Sequence, residues 1–250
     1  TSVHSFMGVA WKYLKPWPLS SLYRVLEARG IFRDRATVMQ VPSFFLQALI
    51  KEETGEDTVV IQNFFTQAQK QAISTKTKKA IAAMKKGKHT LVVGSLLRVK
   101  NFSLVIRAVA QVDATLWIVG TGPEEENLRA LAKKEAPKKV RFLGDINAYE
   151  VQELMKRVNA LAVTSYNESF SIVALEAAAQ GACIIGTPVG IVPELIHEDW
   201  QIINDVDTLA YAMDRAKRKA PTKLLAYDKE KIIGAFIGLY KRLKCGKVVE

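Results

Sequence analysis

The chain has 250 residues, 49% of them hydrophobic and 24% charged, with two cysteines and a formal net charge of +11. That length suits one large domain or two modest ones, and the balance of apolar and charged residues is the one expected of a soluble globular protein. It excludes an apolar helix long enough to span a bilayer, since no run approaches the ~20 residues required, and it excludes a disulfide framework.

Of the two cysteines, Cys183 lies inside an apolar run, where a thiol acts as a small buried hydrophobe. The expected setting is therefore reducing and intracellular, on the cytoplasmic side. Residues 1–10 carry neither the basic start nor the small-residue cleavage site of a secretory leader. The charge is unevenly spread. Lys and Arg outnumber Asp and Glu by 13 to 6 over residues 1–87 and by 6 to 3 over 227–250, whereas residues 88–226 are nearly balanced at 17 to 16. An excess confined to the first third and the tail fits an anionic surface or substrate met there, and equally a solvated basic face.

In chain order, residues 1–6 read as the end of a strand that begins without a domain start signal. Residues 11–33 mix Trp11, Tyr13, Trp17, Tyr23 and Phe32 with Lys12, Lys15, Arg24, Arg29 and Arg33, a combination found at membrane interfaces and also in loops whose aromatics pack on a domain. Residues 37–41 form a strand. Pro42-Ser43 open a helix through about Glu53 with Ser43 as its cap, and Thr58–Ile61 is another short strand. Residues 66–88 are polar and lysine-rich, a linker followed by a basic helix that stops at Gly87.

From Lys88 the pattern becomes regular. Nearly continuous apolar runs at 90–93, 115–119, 140–143, 160–164 and 182–185 predict strands covered on both faces. Helices are predicted between and after them at 102–111, 124–135, 148–157, 170–180, 194–197, 207–218 and 228–244. Alternation at this spacing predicts an α/β fold with a doubly wound, parallel, Rossmann-type sheet and a smaller partial α/β region before it.

In such a sheet, ligands bind outside the carboxyl ends of the strands. Four loops leave there. Gly94–Asn101 bears Arg98 and Lys100, two cations suited to a phosphate or to solvent. Gly120-Thr121-Gly122-Pro123 leads into three glutamates; Glu125 stands where a dinucleotide fingerprint needs its third glycine, and an acidic first turn repels a diphosphate. Asn167–Ala177 follows the fourth strand, with Ser169 as the predicted cap and the amides of Ser169, Phe170, Ser171 and Ile172 as an anion site. Glu168 beside that site suits a neutral, hydroxyl-bearing group. Glu176, two turns on among Leu175 and alanines, requires hydrogen-bond donors if it is buried. Gly186–Glu194 is a second Gly/Pro loop at the same edge.

Residues 90–197 resemble the donor-binding domain of the GT-B glycosyltransferases, of the retaining family 4 (group 1) type. Glu168 and Glu176 match that family's E-x7-E pattern, Gly94 with Lys100-Asn101 matches its first loop, and Leu116–Pro123 matches its strand-Gly-x-Gly-Pro segment. The resemblance implies a metal-independent enzyme without a bound cofactor, whose donor substrate is a nucleotide-diphosphate sugar and whose products retain the donor's anomeric configuration. Arg98, Lys100 and the amides of residues 169–172 would take the diphosphate, Glu168 the sugar and Glu176 the ribose. His4 and Glu168 would be the catalytic pair. It further implies a partial acceptor-side region and linker over 1–87, a donor domain over 88–226, and a helix over 227–250 that returns toward the first region. A complete first domain of this type would need on the order of 100 further residues. Ser95, Phe64 and Ser171 stand where the family pattern has arginine, glycine and glycine. The acceptor expected from the basic, aromatic first third is a lipid phosphate or a glycan, with peripheral contact to an anionic membrane and no nucleic acid. The competing reading is a nucleotide-sugar-binding fragment or subunit without transferase activity of its own.

Overall fold

A computed structural model describes residues 38–203, 205–219 and 227–244, together with the backbone of 3–5. The aromatic and basic stretch 11–33 lies outside the described residues. The chain forms two compact units: residues 1–65 with 168–170 and 225–250, and residues 66–167 with 171–224.

In the first unit, β1 (Val3–Ser5), β2 (Val38–Val41) and β3 (Val59–Val60) form a parallel three-stranded sheet in that order. α1 (Phe44–Thr54) joins β2 to β3. Its cap is Ser43, as the sequence predicts: the Ser43 hydroxyl accepts from the Leu46 amide at 3.2 Å. Strand alternation separates two cores. Met39 and Val41 pack with Leu46, Leu49 and Ile50 of α1. Val38 and Val59 pack with Ile61 and with Ile232 and Leu239 of the last helix, Lys229–Lys244.

The second unit contains α2 (Thr75–Ala83), β4 (Lys88–Val93), α3 (Phe102–Ala110), β5 (Ala114–Val119), α4 (Glu125–Glu135), β6 (Val140–Gly144), α5 (Ala148–Met155), β7 (Ala160–Val163), α6 (Ile172–Ala179), β8 (Cys183–Gly186), α7 (Val192–Leu195) and α8 (Val206–Arg215). The final helix of the first unit is α9. All five strands of the second unit are parallel, in the order β6-β5-β4-β7-β8. This is the doubly wound α/β sheet the apolar runs predict. Its strands are buried because helices cover both faces; one core cluster joins Val92, Leu116, Ile118 and Ile185 of the sheet to Val105, Ile106 and Val109 of α3 and Leu209 and Met213 of α8.

Between β3 and α2 the chain has no regular secondary structure, and the second unit holds its later part by polar groups at α5 and the end of α6. Glu150 and Gln152 of α5 are 3% and 1% exposed. Gln152 Nε2 donates to the Thr66 carbonyl at 3.3 Å, and Gln152 Oε1 accepts from the Ala68 amide at 3.0 Å. Gln180 donates to the Gln67 side chain at 3.1 Å. Glu150 Oε1 accepts from both the amide and the hydroxyl of Ser74, at 2.8 and 2.5 Å, while its other oxygen accepts from Asn147, which caps α5. The residues following Phe65 thus form a docked strap, where composition alone predicts a linker.

Burial pushes the Glu150 carboxyl up, but the Ser74, Thr77 and Asn147 donors outweigh it and hold the pKa at about 2, below the ordinary 4.5. A group with a depressed folded pKa contributes stability above its unfolded value and loses it as pH falls through the folded value. Glu150→Gln is therefore expected to unfold more easily at pH 7 by on the order of 2–3 kcal/mol. In urea titrations the gap between variant and wild type should close as pH falls from 4.5 toward 2; a gap constant over that window contradicts the assignment.

Candidate functional site

The strand order reverses between β4 and β7: the chain builds outward through β5 and β6, then returns to the other side of β4. The loops that follow β4 and β7 therefore part in opposite directions, and the crevice at that switch point is where an open α/β sheet binds ligands. Arg98 and Lys100 follow β4, and the stretch from Asn167 to Glu176 follows β7.

The loops at this edge are hydrogen-bonded to one another through their backbones. Gly94 donates to Val119 at 3.0 Å, Leu96 to Thr121 at 2.9 Å, and Glu124 back to Leu96 at 3.0 Å. On the other side, the Tyr166 amide donates to Val99 at 2.9 Å and Thr164 Oγ1 to the Lys100 carbonyl at 2.8 Å. Thr187 Oγ1 reaches the Ser165 carbonyl at 2.7 Å, tying in the loop after β8. Gly120 and Gly122 are what allow the first of these contacts. A Cβ on Gly120, at φ +124°, would lie 2.0 Å from the Gly94 carbonyl oxygen, and one on Gly122 would lie 2.6 Å from that of Leu96. These glycines admit the neighbouring loop of the protein itself.

Arg98 and Lys100 form a single helical turn, Arg98–Lys100, closed by Asn101 in the left-handed region at φ 50°. The Arg98 guanidinium is 89% exposed and pairs with Glu124 at 3.2 Å, so its charge is shared with an acid of the β5 loop. The Lys100 stem lies over Gly94, where its Cε would be 3.7 Å from an added Cβ. Two of the three glutamates after Pro123 are thus paired: Glu124 holds Arg98, and Glu125 holds Arg129 at 2.8 Å.

The helix after β7 starts later than the sequence predicts. α6 begins at Ile172, its cap position is Ser171 at φ 71°, and no side-chain hydrogen bond caps it. Ser169 does not cap it. The first-turn amides without intrahelical partners are those of Ile172 and Val173, and Ser169 and Phe170 precede the helix. Glu176 is half-buried. Burial raises its pKa, and a hydrogen bond from Gln152 Nε2 to Oε1 at 3.4 Å opposes that rise. Similarly, α7 spans Val192–Leu195 with Pro193 in its first turn, starting two residues before the prediction and leaving Ile196 extended.

Residues Glu168–Phe170 group with the first unit. There the Ser43 hydroxyl, fully buried, donates to the Ser169 carbonyl at 2.7 Å while capping α1. Phe170, 2% exposed, meets Tyr227 edge-on at 6.3 Å. Glu168 is half-buried beside this anchor, and Asn167, in the second unit, has a buried Oδ1 without a hydrogen-bond partner among the described residues. His4 lies on β1, in register with Met39. Ser43 and Gln152 are the site neighbours that sequence reasoning missed: Ser43 was legible as a cap only, and nothing in the local pattern around Gln152 sets it apart.

Among the described residues no group of three or more His, Cys, Asp or Glu side chains is arranged to hold a metal ion, and no helix is long and apolar enough to cross a membrane.

The fold is that of GT-B glycosyltransferases. Sucrose-phosphate synthase from Thermosynechococcus elongatus superposes with a TM-score of 0.80 at 19% identity, over 98% of this chain and 68% of that one. HepE of Anabaena, in complex with UDP-glucose, superposes with a TM-score of 0.77 at 18% identity, over 96% of this chain and 71% of that one. The chain belongs to the family of glycosyl transferases group 1, whose family model matches residues 74–223. Among curated relatives, N-acetyl-alpha-D-glucosaminyl L-malate synthase of Bacillus anthracis is 34% identical over 148 residues, and an uncharacterized glycosyltransferase of Methanocaldococcus jannaschii is 31% identical over 147. Those matches cover 57% and 55% of this chain and 38% of each relative.

The interlocked loops give a direct prediction. Gly120→Ala places a methyl against the Gly94 carbonyl and imposes a left-handed backbone on alanine. It is expected to lower stability by about 3 kcal/mol or more, read as a shifted denaturant midpoint. A wild-type midpoint would mean that the two loops are not held this closely.

Proposed function

We propose that this protein is a retaining glycosyltransferase that takes a nucleotide-diphosphate sugar as donor and needs no bound metal. The observation that carries the reading is the reversal of strand order between β4 and β7, in a member of this family, at the point where the Lys100 loop and the E-x7-E stretch leave the sheet. HepE is a neighbour in fold whose structure holds UDP-glucose. Lys100 and Arg98, with the first-turn amides of α6, are the groups suited to a diphosphate. The amides act through the partial positive charge at a helix N-terminus, and cations placed at the leaving group stabilise the charge that develops as the glycosidic bond breaks. Arg98 reaches a diphosphate by leaving Glu124, a low-cost exchange for an exposed pair.

Glu176 suits a ribose. A half-buried carboxylate with one amide donor has lone pairs left for the two hydroxyls of a ribose, which would offset the cost of burying it. Glu168 and His4 are assigned to the donor sugar as the catalytic pair on the family resemblance. Retention of configuration, and a lipid-phosphate or other membrane-surface acceptor, belong to the same proposal. The basic first third supports the acceptor class by its charge. The competing reading is a nucleotide-sugar-binding part without transferase activity of its own; the matches to the two relatives named above span 38% of their length.

A thermal-shift panel of UDP-, GDP- and ADP-sugars tests the donor. A ligand at 100 times its Kd stabilises by about 2.7 kcal/mol, a rise of a few degrees for a protein of this size. One nucleotide series is expected to stabilise the wild type and to lose most of its effect in Glu176→Ala. A shift that survives the substitution contradicts the ribose assignment. Binding without release of nucleoside diphosphate in the presence of anionic liposomes or glycan acceptors favours the competing reading.

A further inference from the structure

We propose that Gln152 is a positioning residue for Glu176: it holds the Glu176 carboxylate ionised and aimed, and ties it to the strap at residues 66–68. Its functional part rests on the ribose assignment above; its structural part does not.

Gln152 is 1% exposed, and its side-chain amide is fully used. Oε1 accepts from the Ala68 amide at 3.0 Å. One amide hydrogen goes to the Thr66 carbonyl at 3.3 Å and the other to Glu176 Oε1 at 3.4 Å. A glutamine bonded at three points cannot rotate or flip its amide without losing all three, so the Nε2–H that faces Glu176 has a fixed direction. Among the described residues, Gln152 is the sole hydrogen-bond donor to the Glu176 carboxylate. Lysine or arginine in its place would neutralise the acid; a neutral amide favours the ionised form and leaves its charge available to hydroxyls.

The other charged and titratable groups on elements packed against α6 are Tyr149, Glu150 and Glu153 of α5, Cys183 of β8 and Glu194 of α7. Glu150 is bonded to Ser74 and Asn147, and Glu153 to Lys156 and Arg157 at 2.6 and 2.9 Å. None of these groups is among the causes of the Glu176 shift, which are burial and Gln152. Removing the donor therefore acts on Glu176 through one bond.

The strap gives the arrangement its second consequence. Because one amide serves both the backbone of residues 66–68 and Glu176, the position of the acid depends on the strap being docked. Gln180, at the carboxyl end of α6, holds Gln67 from the other side.

The test uses two variants of the full chain and two readouts. Gln152→Leu removes all three bonds; Gln152→Glu keeps an acceptor for Ala68 and removes the donors. Carbon-13 NMR titration of the Glu176 carboxyl, assigned by its loss in Glu176→Gln, reads the first consequence without any ligand. Gln152→Leu is expected to raise the Glu176 midpoint by about one pH unit or more, the size expected for one lost hydrogen bond to a charged group; Gln152→Glu raises it further, because its own carboxylate repels that of Glu176. An unchanged midpoint in folded Gln152→Leu overturns the proposal. Calorimetric binding of UDP across pH reads the second. Gln152→Leu is expected to bind UDP about tenfold more weakly than wild type below the raised midpoint, recovering as pH rises past it, with no further loss when combined with Glu176→Gln. A loss uniform across pH means that Gln152 is merely structural and overturns its positioning role. If Glu176→Gln leaves UDP affinity intact while the midpoint still moves, the ribose assignment fails and the hold of Gln152 on Glu176 stands.

Discussion

The edge of the second unit depends on backbone meeting backbone. The loop after β4 lies so close to the loop after β5 that no side chain fits at Gly120 or Gly122, and on its other flank it is bonded to the loop after β7 through Val99 and Lys100. Three loops are thereby joined into one hydrogen-bonded surface that carries the candidate site residues Arg98 and Lys100. Lys100 stands on a turn whose carbonyl is held by Thr164. Ser165 and Thr187 extend the same bonding to β8. A site of this kind is already shaped before ligand arrives, which reduces the ordering cost of binding.

The second constraint is the treatment of buried polar groups. Glu150 and Gln152 of α5 and Gln180 at the end of α6 are buried, where an unpaired amide or carboxylate costs free energy. Each is satisfied by the strap at residues 66–74, so the strap and the helices need one another. Glu176 is the exception in degree. It has one amide donor at 3.4 Å, and its pKa is raised. An acid left underpaired at the switch point of a doubly wound sheet is the feature a hydroxyl-rich ligand would complete, and it distinguishes Glu176 from Glu150, whose four hydrogen bonds are used in holding the fold.

The large elements were legible because apolar runs have a length and a periodicity that few alternatives share. The runs at 90–93, 115–119, 140–143, 160–164 and 182–185 each became a strand within two residues of its predicted ends. Ser43 was legible as a cap, for Pro-Ser ahead of a helical pattern is a local signal. What was not legible depends on distant partners. Ser169 has the composition of a cap, yet its carbonyl is taken by Ser43, 126 residues away in sequence, and the helix starts instead at Ser171 with a positive φ. Gly120-x-Gly122 reads as a tight turn first and as room for a ligand second, and the space it leaves is occupied by Gly94–Leu96. Residues 66–74 have the polarity of a linker, and only the glutamines and the glutamate of α5 and α6 make them a strap. Gln152 has no local signature at all, because its importance lies in three partners at sequence separations of 24 to 86.

A nucleotide diphosphate bound as proposed would lie at the carboxyl edge of the second unit, at the β4–β7 switch point. Hydrogen–deuterium exchange of the full chain with and without UDP tests that placement most directly. The expected result is slowed exchange in the segments 94–101 and 164–176, with no change at the opposite edge of the sheet around 86–89 and 138–140. Protection at that opposite edge, or none at either loop under saturating UDP, would contradict it.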